Sequence, residues 1–301
     1  GTGYGFSVTE EELENGISLV ENKRMISLKG LVEGGYICQS FASYVSEGGA
    51  RLAGKSPFEY LMEIQDYLDA QLAAHSDLIR PALSGSDIER NAKEGFVSML
   101  RTVEEGLPYE GKLENLKKAY DRGIRKSTLT WNYENCISFP CSKDNIAHHT
   151  KGLKPFGFEA VEKMNELGMI IDTSHLSERG FWDVIETSKK PFVSSHACSR
   201  QLCDHPRNLT DDQLRALADK LAESRADVHA KGRVAFVGLR RGTFAVGAAE
   251  DNSSGACGDI RDTYCAENSA SALRAAERGD CFACFCHGFP CFHVRSGEER
   301  T

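Results

Sequence analysis

The chain has 301 residues, 41% of them hydrophobic, enough for a sizeable core in one large domain or two small ones. A formal net charge of -8 with no basic run makes it a poor candidate for binding nucleic acid or an anionic membrane, and no apolar stretch approaches the roughly 20 residues of a membrane helix. The opening Gly1-Thr2-Gly3-Tyr4 has no initiator Met, basic stretch or apolar signal core. It reads like a start in mid-gene, so a cytoplasmic location is the default expectation, with a signal ahead of Gly1 left open.

Tyr36 to Val45 is an apolar, β-branched and aromatic run, expected as a strand. Phe58 to Leu72 places Tyr60, Leu61, Ile64 and Leu68 at helical spacing. Phe96 to Val103 is a short apolar run expected as a buried strand, Leu113 to Arg122 a helix and Ile124 to Thr130 the next strand. Phe156 to Leu167 is amphipathic, with Gly168 placed as its C-terminal stop. Met169 to Ser174 reads as a strand, Phe181 to Ser188 as a helix and Pro191 to Ser195 as a strand. Thr210-Asp211-Asp212-Gln213 is a capping-box start for a helix running to about Lys220.

Alternating β and α at this pitch implies a parallel sheet with crossover helices. Five strands stand against the eight of a closed (β/α)8 barrel, so the count leaves a partial barrel and an open doubly wound sheet both standing. The lack of a glycine-rich phosphate loop weighs against a nucleotide-binding sheet. After about Lys220 the periodicity dissolves, and Cys257, Cys265, Cys281, Cys284, Cys286 and Cys291 crowd the end of the chain. Cys281 through His287, with Cys291 and His293, has no standard zinc-finger spacing, and a disulfide scaffold would be short and evenly studded. Two units are therefore expected: a partial barrel over 1–220 and an aberrant tail over 221–301, frame-shifted or disordered. A genuine divergent tail is the competing reading.

Barrel enzymes place reactive groups where a strand ends and its loop begins. Glu104 follows Phe96 to Val103, His175 follows Met169 to Ser174, and His196 follows Phe192 to Ser195. Two imidazoles at the ends of consecutive strands, with a carboxylate from a third, form the N/N/O set of a catalytic zinc site. Each His taken alone reads first as a polar residue at a strand end, and it is the three together that point to a metal.

Several motifs occur in order: Val103-Glu104-Glu105-Gly106, Leu129-Thr130-Trp131-Asn132, Gly152-Leu153-Lys154-Pro155-Phe156-Gly157, Gly168 through His175, Ser195-His196, and Asp204 through Thr210. With Leu31 to Val45 they resemble the membrane (renal) dipeptidase family over roughly residues 15 to 220. The resemblance implies an α/β fold of the (β/α)8 TIM-like barrel type, here incomplete, and zinc-dependent hydrolysis of dipeptides. It implies that Glu104, or Glu105 if the register is one residue off, bridges two zinc ions, and that His175 and His196 serve the second. Arg207 matches the arginine that receives the substrate's terminal carboxylate, a task suited to a planar bidentate donor. Trp131 and Asn132 stand where some members carry a substrate-contacting histidine. In the implied mechanism two metal ions about 3.5–4 Å apart activate water for attack on the peptide carbon, and a carboxylate carries the proton to the leaving amine. The implied partner is a dipeptide, and a homodimer is compatible with the resemblance.

Two parts of the family's pattern have no counterpart. Its His-x-Asp pair at the end of the first strand is lacking, and His75-Ser76-Asp77 follows a helical run and reads as a helix end. Its Asp-Phe-Asp-Gly segment, the expected proton shuttle, does not occur in the chain, so the catalytic residues stay unassigned. The expectation is an incomplete, weakly active or inactive copy with at most one well-liganded zinc site. The alternative is a non-catalytic pseudo-dipeptidase that binds a peptide or partner.

Overall fold

Serine starts most of the early helices. The structure, a computed structural model, describes residues 18–22, 26–141, 150–226 and 239–240. Ser27, Ser46, Ser56 and Ser84 each accept a hydrogen bond from the backbone three residues on, opening α1 (Leu28–Glu33), α2 (Glu47–Leu52), α3 (Pro57–Ala74) and α4 (Gly85–Lys93). At α3 the cap is reciprocal: Glu59 reaches back to the Ser56 backbone. Later come α5 (Leu113–Asp121), α6 (Pro155–Leu167), α7 (Glu178–Thr187) and α8 (Asp211–Ala226). The expected capping box of α8 is present, with Gln213 N 3.3 Å from Thr210 Oγ1 and Thr210 N 2.9 Å from Gln213 Oε1. Gly168 ends α6 at a φ of 77°, which only glycine adopts freely.

The strands are β1 (Tyr36–Ser43), β2 (Ile79–Pro81), β3 (Val97–Glu104), β4 (Ile124–Thr128), β5 (Ile170–Asp172) and β6 (Leu239–Arg240). β1, β3, β4 and β5 lie side by side in chain order, all parallel. β2 pairs with the start of β3, and β6 runs antiparallel to β1. A doubly wound sheet reverses its strand order at a switch point; among the described residues this order does not reverse. The crossover helices α5, α6, α7 and α8 pack in succession against one another. Both features belong to a (β/α) barrel, seen here as an arc that stays open among the described residues.

The expected strand at Pro191 to Ser195 is reduced to a single parallel bridge between Asp172 and Val193. Val193 N donates to Ile171 O at 2.9 Å and Thr173 N to Val193 O at 2.8 Å. Among the described residues no strand pairs on its far side, so one rung is all that forms. β5 is also shorter than expected, because Leu176 N turns back to Thr173 O at 3.1 Å. The tail reading over 221–301 lies outside the described residues, apart from the end of α8 and β6.

Strand register sorts the side chains onto two faces. Met99, Arg101, Val103, Ser127 and Ile171 face the helices, where Leu116, Ala160, Val161, Met164, Phe181 and Val184 complete the main apolar core. A smaller cluster of Leu28, Leu31, Leu68, Ile79, Val97 and Met99 packs under α1 and α3. The opposite, inner face carries Thr102, Glu104, Lys126, Thr128 and Asp172, all buried and all polar.

Gly157, in the first turn of α6, lies against the loop before it: a Cβ there would sit 2.3 Å from the Ile137 carbonyl oxygen. Helix propensity favours Gly157→Ala by about 0.8–1 kcal/mol, while forcing an atom into packed backbone costs about 1–3 kcal/mol or more. The clash should win, so Gly157→Ala is expected to lower the midpoint of chemical denaturation. A raised midpoint would mean that the Ile137 carbonyl yields freely.

Candidate metal centre

β3 ends on Glu104 and β5 on Asp172, and the register sets Glu104, Thr128 and Asp172 side by side at one rim of the arc. Beyond the rim the backbone is strained. His175 has a φ of 69° and Glu105 a φ of 140°, regions that cost a non-glycine residue about 1–3 kcal/mol each. At His175 the turned backbone brings the imidazole to the rim. His175 Nε2 lies 2.8 Å from His196 Nε2, and Glu104 Oε1 lies 3.3 Å from the former and 3.4 Å from the latter.

The protons around this triangle follow from its neighbours. Asp172 is completely buried; burial works to raise its carboxyl, but the charge of Lys126 leads the opposing effects and keeps it ionised. An ionised carboxylate only accepts, so Ser195 Oγ–H donates to Asp172 Oδ2. The hydroxyl has no second proton, so His196 Nδ1–H donates to Ser195 Oγ at 2.9 Å. The His196 Nε2 lone pair is then left facing the triangle.

His175 has a choice. Its Nδ1 lies 2.8 Å from Asn132 Oδ1 and 2.7 Å from Arg207 Nη1, and these contacts require opposite tautomers because a guanidinium only donates. With the proton on Nε2, Arg207 bonds Nδ1 and the proton points at Glu104. With the proton on Nδ1 and donated to Asn132, the triangle consists of three bare acceptors, which is the arrangement a cation selects. His175 is held neutral, with its pKa lowered to about 3, chiefly by burial and further by Arg207 and His196, against the pull of Glu104. Burial works to raise the Glu104 carboxyl, but an Nε2–H donated by His175 in its first tautomer leads the opposing effects, and the net direction is down.

Two neutral imidazoles and a carboxylate are the donor set of zinc-class sites. Two of the triangle's edges, 3.3 and 3.4 Å, lie in the roughly 3.3–3.6 Å that metal–ligand bonds of about 2.0–2.2 Å give between neighbours in a tetrahedron, and the His175–His196 edge, at 2.8 Å, is shorter. The residues present therefore fit such an ion. Among the described residues this is the one group of three or more His, Cys, Asp or Glu whose ligand atoms lie within 4.8 Å of one another.

The other expected residues converge on the same place. Arg207 is held by a loop that Asn208 clamps, through Cys198 N to Asn208 Oδ1 at 3.0 Å and Asn208 Nδ2 to Cys203 O at 2.8 Å. Arg207 is half-buried, its Nε is closed to solvent without a hydrogen-bond partner, and among the described residues no carboxylate pairs with it. Trp131 packs its ring 5.9 Å from that of His175, flanked by Tyr44 at 4.8 Å and Tyr133 at 5.6 Å. Glu105 turns away from the histidines. It accepts from Trp131 N and Leu107 N, both at 3.0 Å, and from Asn135 Nδ2, so it ties down the loop that carries Trp131 and Asn132. Glu104, not Glu105, meets the triangle. His75 caps the end of α3, and β2 beyond it pairs at the Val97 end of β3, opposite to Glu104.

Strand-end position and motif resemblance assign no role to Asp172, Ser174, Ser195 or Lys126. Their signal was the Ser-His pair repeated at 174–175 and 195–196, and a lysine in the middle of a short buried strand.

The family model for membrane dipeptidase, peptidase family M19, matches residues 8–221. An uncharacterized protein from the region 5' of pqqA in Klebsiella pneumoniae is 36% identical over 156 residues, which is 50% of this chain and 56% of that protein. A solved probable dipeptidase from Pseudomonas aeruginosa is 25% identical with a TM-score of 0.59, covering 67% of this chain and 53% of its own. A solved metallo peptidase from Rhodobacter sphaeroides, 20% identical with a TM-score of 0.61 over 70% of this chain and 66% of its own, shares the fold. The chain thus spans about half the length of the first two.

Glu104 and Glu105 make a controlled pair of substitutions. Glu104→Gln is expected to weaken zinc or cobalt binding by more than the about 10–100-fold that outer-sphere partners cost. Glu105→Gln should leave the affinity within about threefold, since its partners are amides of the loop. Equal losses in a chelator-competition titration would remove Glu104 from the ligand set.

Proposed function

This chain belongs to the membrane dipeptidase family, peptidase family M19, and from that we propose that it acts on dipeptides as a zinc-dependent hydrolase, with Glu104, His175 and His196 holding a zinc ion. The observation that carries the reading is the triangle of acceptor atoms at the ends of successive strands. An ion held there supplies Lewis acidity, polarising the scissile carbonyl and making water acidic enough to attack near neutral pH.

The chain's own residues do the rest. Glu104 contributes the anionic ligand. Asn132 holds the Nδ1 proton of His175, and Ser195 holds that of His196. Arg207, half-buried beside His175 with donors to spare, takes the terminal carboxylate of the substrate. That contact sets the carboxylate next to the triangle and brings the peptide bond one residue further in over it, which favours dipeptides over longer chains. Trp131 and its neighbours Tyr44 and Tyr133 form an aromatic wall on which a substrate side chain can lie.

A second reading has its own support. The Asp-Phe-Asp-Gly proton shuttle is lacking from the sequence, and the described residues supply the protein ligands of one ion rather than two. On that reading the pocket is kept for binding, and the chain is a pseudo-dipeptidase. A homodimer and a cytoplasmic location belong to the same proposal; no described helix is long and apolar enough to cross a membrane.

The test is one preparation with two readouts. The full chain is stripped of metal, reloaded with zinc and given dipeptides, some with a C-terminal D-residue, while amine release and heat of binding are followed. Cleavage that a chelator abolishes supports the hydrolase. Binding without cleavage selects the pseudo-dipeptidase, and neither response sinks both. Arg207→Ala should weaken the dipeptide interaction about 10–100-fold, the equivalent of a charged hydrogen bond of about 1.5–3 kcal/mol. The same substitution should leave a dipeptide amide, which lacks the carboxylate, nearly unaffected.

A further inference from the structure

We propose that Asp172 is a positioning residue for the metal centre: through the Ser195 hydroxyl it orients His196, and through two backbone amides it locks the loops carrying both histidines into one unit. The inference rests on the reading of Glu104, His175 and His196 as metal ligands. It assigns a function to a buried carboxylate that makes no contact with the triangle itself.

Asp172 is fully buried at the end of β5 and accepts from five donors. Oδ1 takes Ser174 N at 3.1 Å and Ser195 N at 3.0 Å. Oδ2 takes Lys126 Nζ at 2.8 Å, Thr128 Oγ1 at 3.4 Å and the Ser195 hydroxyl. Three of the five donors come from residues directly preceding a histidine of the triangle. The cross-tie is completed by His196 N, which donates to Ser174 Oγ at 3.0 Å. Neither histidine loop can shift without breaking a bond to the other or to Asp172.

A buried ion pair with Lys126 would account for Asp172 only if the lysine were its main partner. Lys126 supplies one donor of the five. Of the others, the Ser195 hydroxyl fixes a direction of donation, from His196 Nδ1 through Ser195 Oγ to Asp172 Oδ2, and that direction leaves Nε2 of His196 as the electron-pair donor. Carboxylates that hold the far nitrogen of a metal-bound imidazole set its orientation and strengthen it as a ligand. Here a hydroxyl stands between the two.

The experiment uses the full chain with Ser195→Ala, Ser195→Thr and the double variant Asp172→Asn/Lys126→Met, which removes both buried charges together. Metal-free thermal unfolding, zinc affinity by chelator competition and the visible absorption of bound cobalt(II) are measured for each. Ser195→Ala should unfold within about 4 °C of the parent, bind zinc about 10–100-fold more weakly and shift the cobalt bands. Ser195→Thr, which restores the hydroxyl, should return the affinity to within about threefold of the parent. The double variant should show the same weakening as Ser195→Ala. Parental affinity and an unchanged cobalt spectrum in Ser195→Ala overturn the proposal, as does an equal loss in the Ala and Thr variants. If the parent chain itself binds neither zinc nor cobalt, the ligand assignment falls first, and that result is distinct from any difference among the variants.

Discussion

The ion pair between Lys126 and Asp172 is the constraint on which the rest of the site depends. Both groups lie inside the strand arc, 2.8 Å apart and closed to solvent. Taking two charges out of water costs several kcal/mol each, and their attraction offsets this only when the remaining lone pairs are also satisfied. At Asp172 they are, and the groups that satisfy them are the backbone and hydroxyl of the residues leading into His175 and His196. A residue at 172 without an acceptor oxygen would release the loops, and a carboxylate without its full set of donors would be too costly to bury. The same arrangement explains why His175 persists at a positive φ: its surroundings are bonded on every side.

That pair sits where it does because the arc has an apolar outside and a polar inside. The outer rows pack on the crossover helices, and the inner rows carry Thr102, Lys126, Glu104, Thr128 and Asp172. Winding in unbroken chain order sends each loop to the same rim, so the ends of β3 and β5 and the Val193 bridge deliver their following residues to one place. Arg101 shows how strictly the outer face is kept. Its guanidinium, out of place among apolar neighbours, is carried to Asp69 on α3, which ties that helix to the sheet.

The ends of strands were the legible part of the sequence. An apolar run that stops at a carboxylate or an imidazole announces both the strand and the position of the polar group. Glu104, His175 and His196 arrive together for that reason, whereas Trp131, Asn132 and Arg207 were marked only by the resemblance of their motifs to the family. Helix limits marked by a chemical group, the Thr210 capping box and Gly168, were equally plain. What one sequence could not show was pairing. Pro191 to Ser195 has the composition of a strand, but a strand exists only through its neighbours, and it finds one rung. β2 is three residues long, too short for periodicity, and α1, α2 and α4 carried their signal in a single serine each. The choice between Glu104 and Glu105 turned on one residue of register, which reverses the face of a strand. A register shift between Arg101 and Thr102 against β4 lies just before it. The role of Asp172 was hidden because Ser195 is distant in sequence and becomes its partner only after the chain has crossed over through α7.

His175 is the point where the metal triangle and the carboxylate pocket meet, and a single proton links them. With that proton on Nε2, Arg207 has an acceptor in Nδ1, and Glu104 has a donor. A cation in the triangle requires the proton on Nδ1, where Asn132 Oδ1 receives it. Arg207 then faces a donor and loses its one acceptor there, in a buried setting where its Nε already has none. A guanidinium in that condition is a strong site for an anion, and the terminal carboxylate of a dipeptide is an anion of the right shape for its fork. The two halves of the site therefore have coupled needs: what fills the triangle creates the demand that the substrate's carboxylate meets.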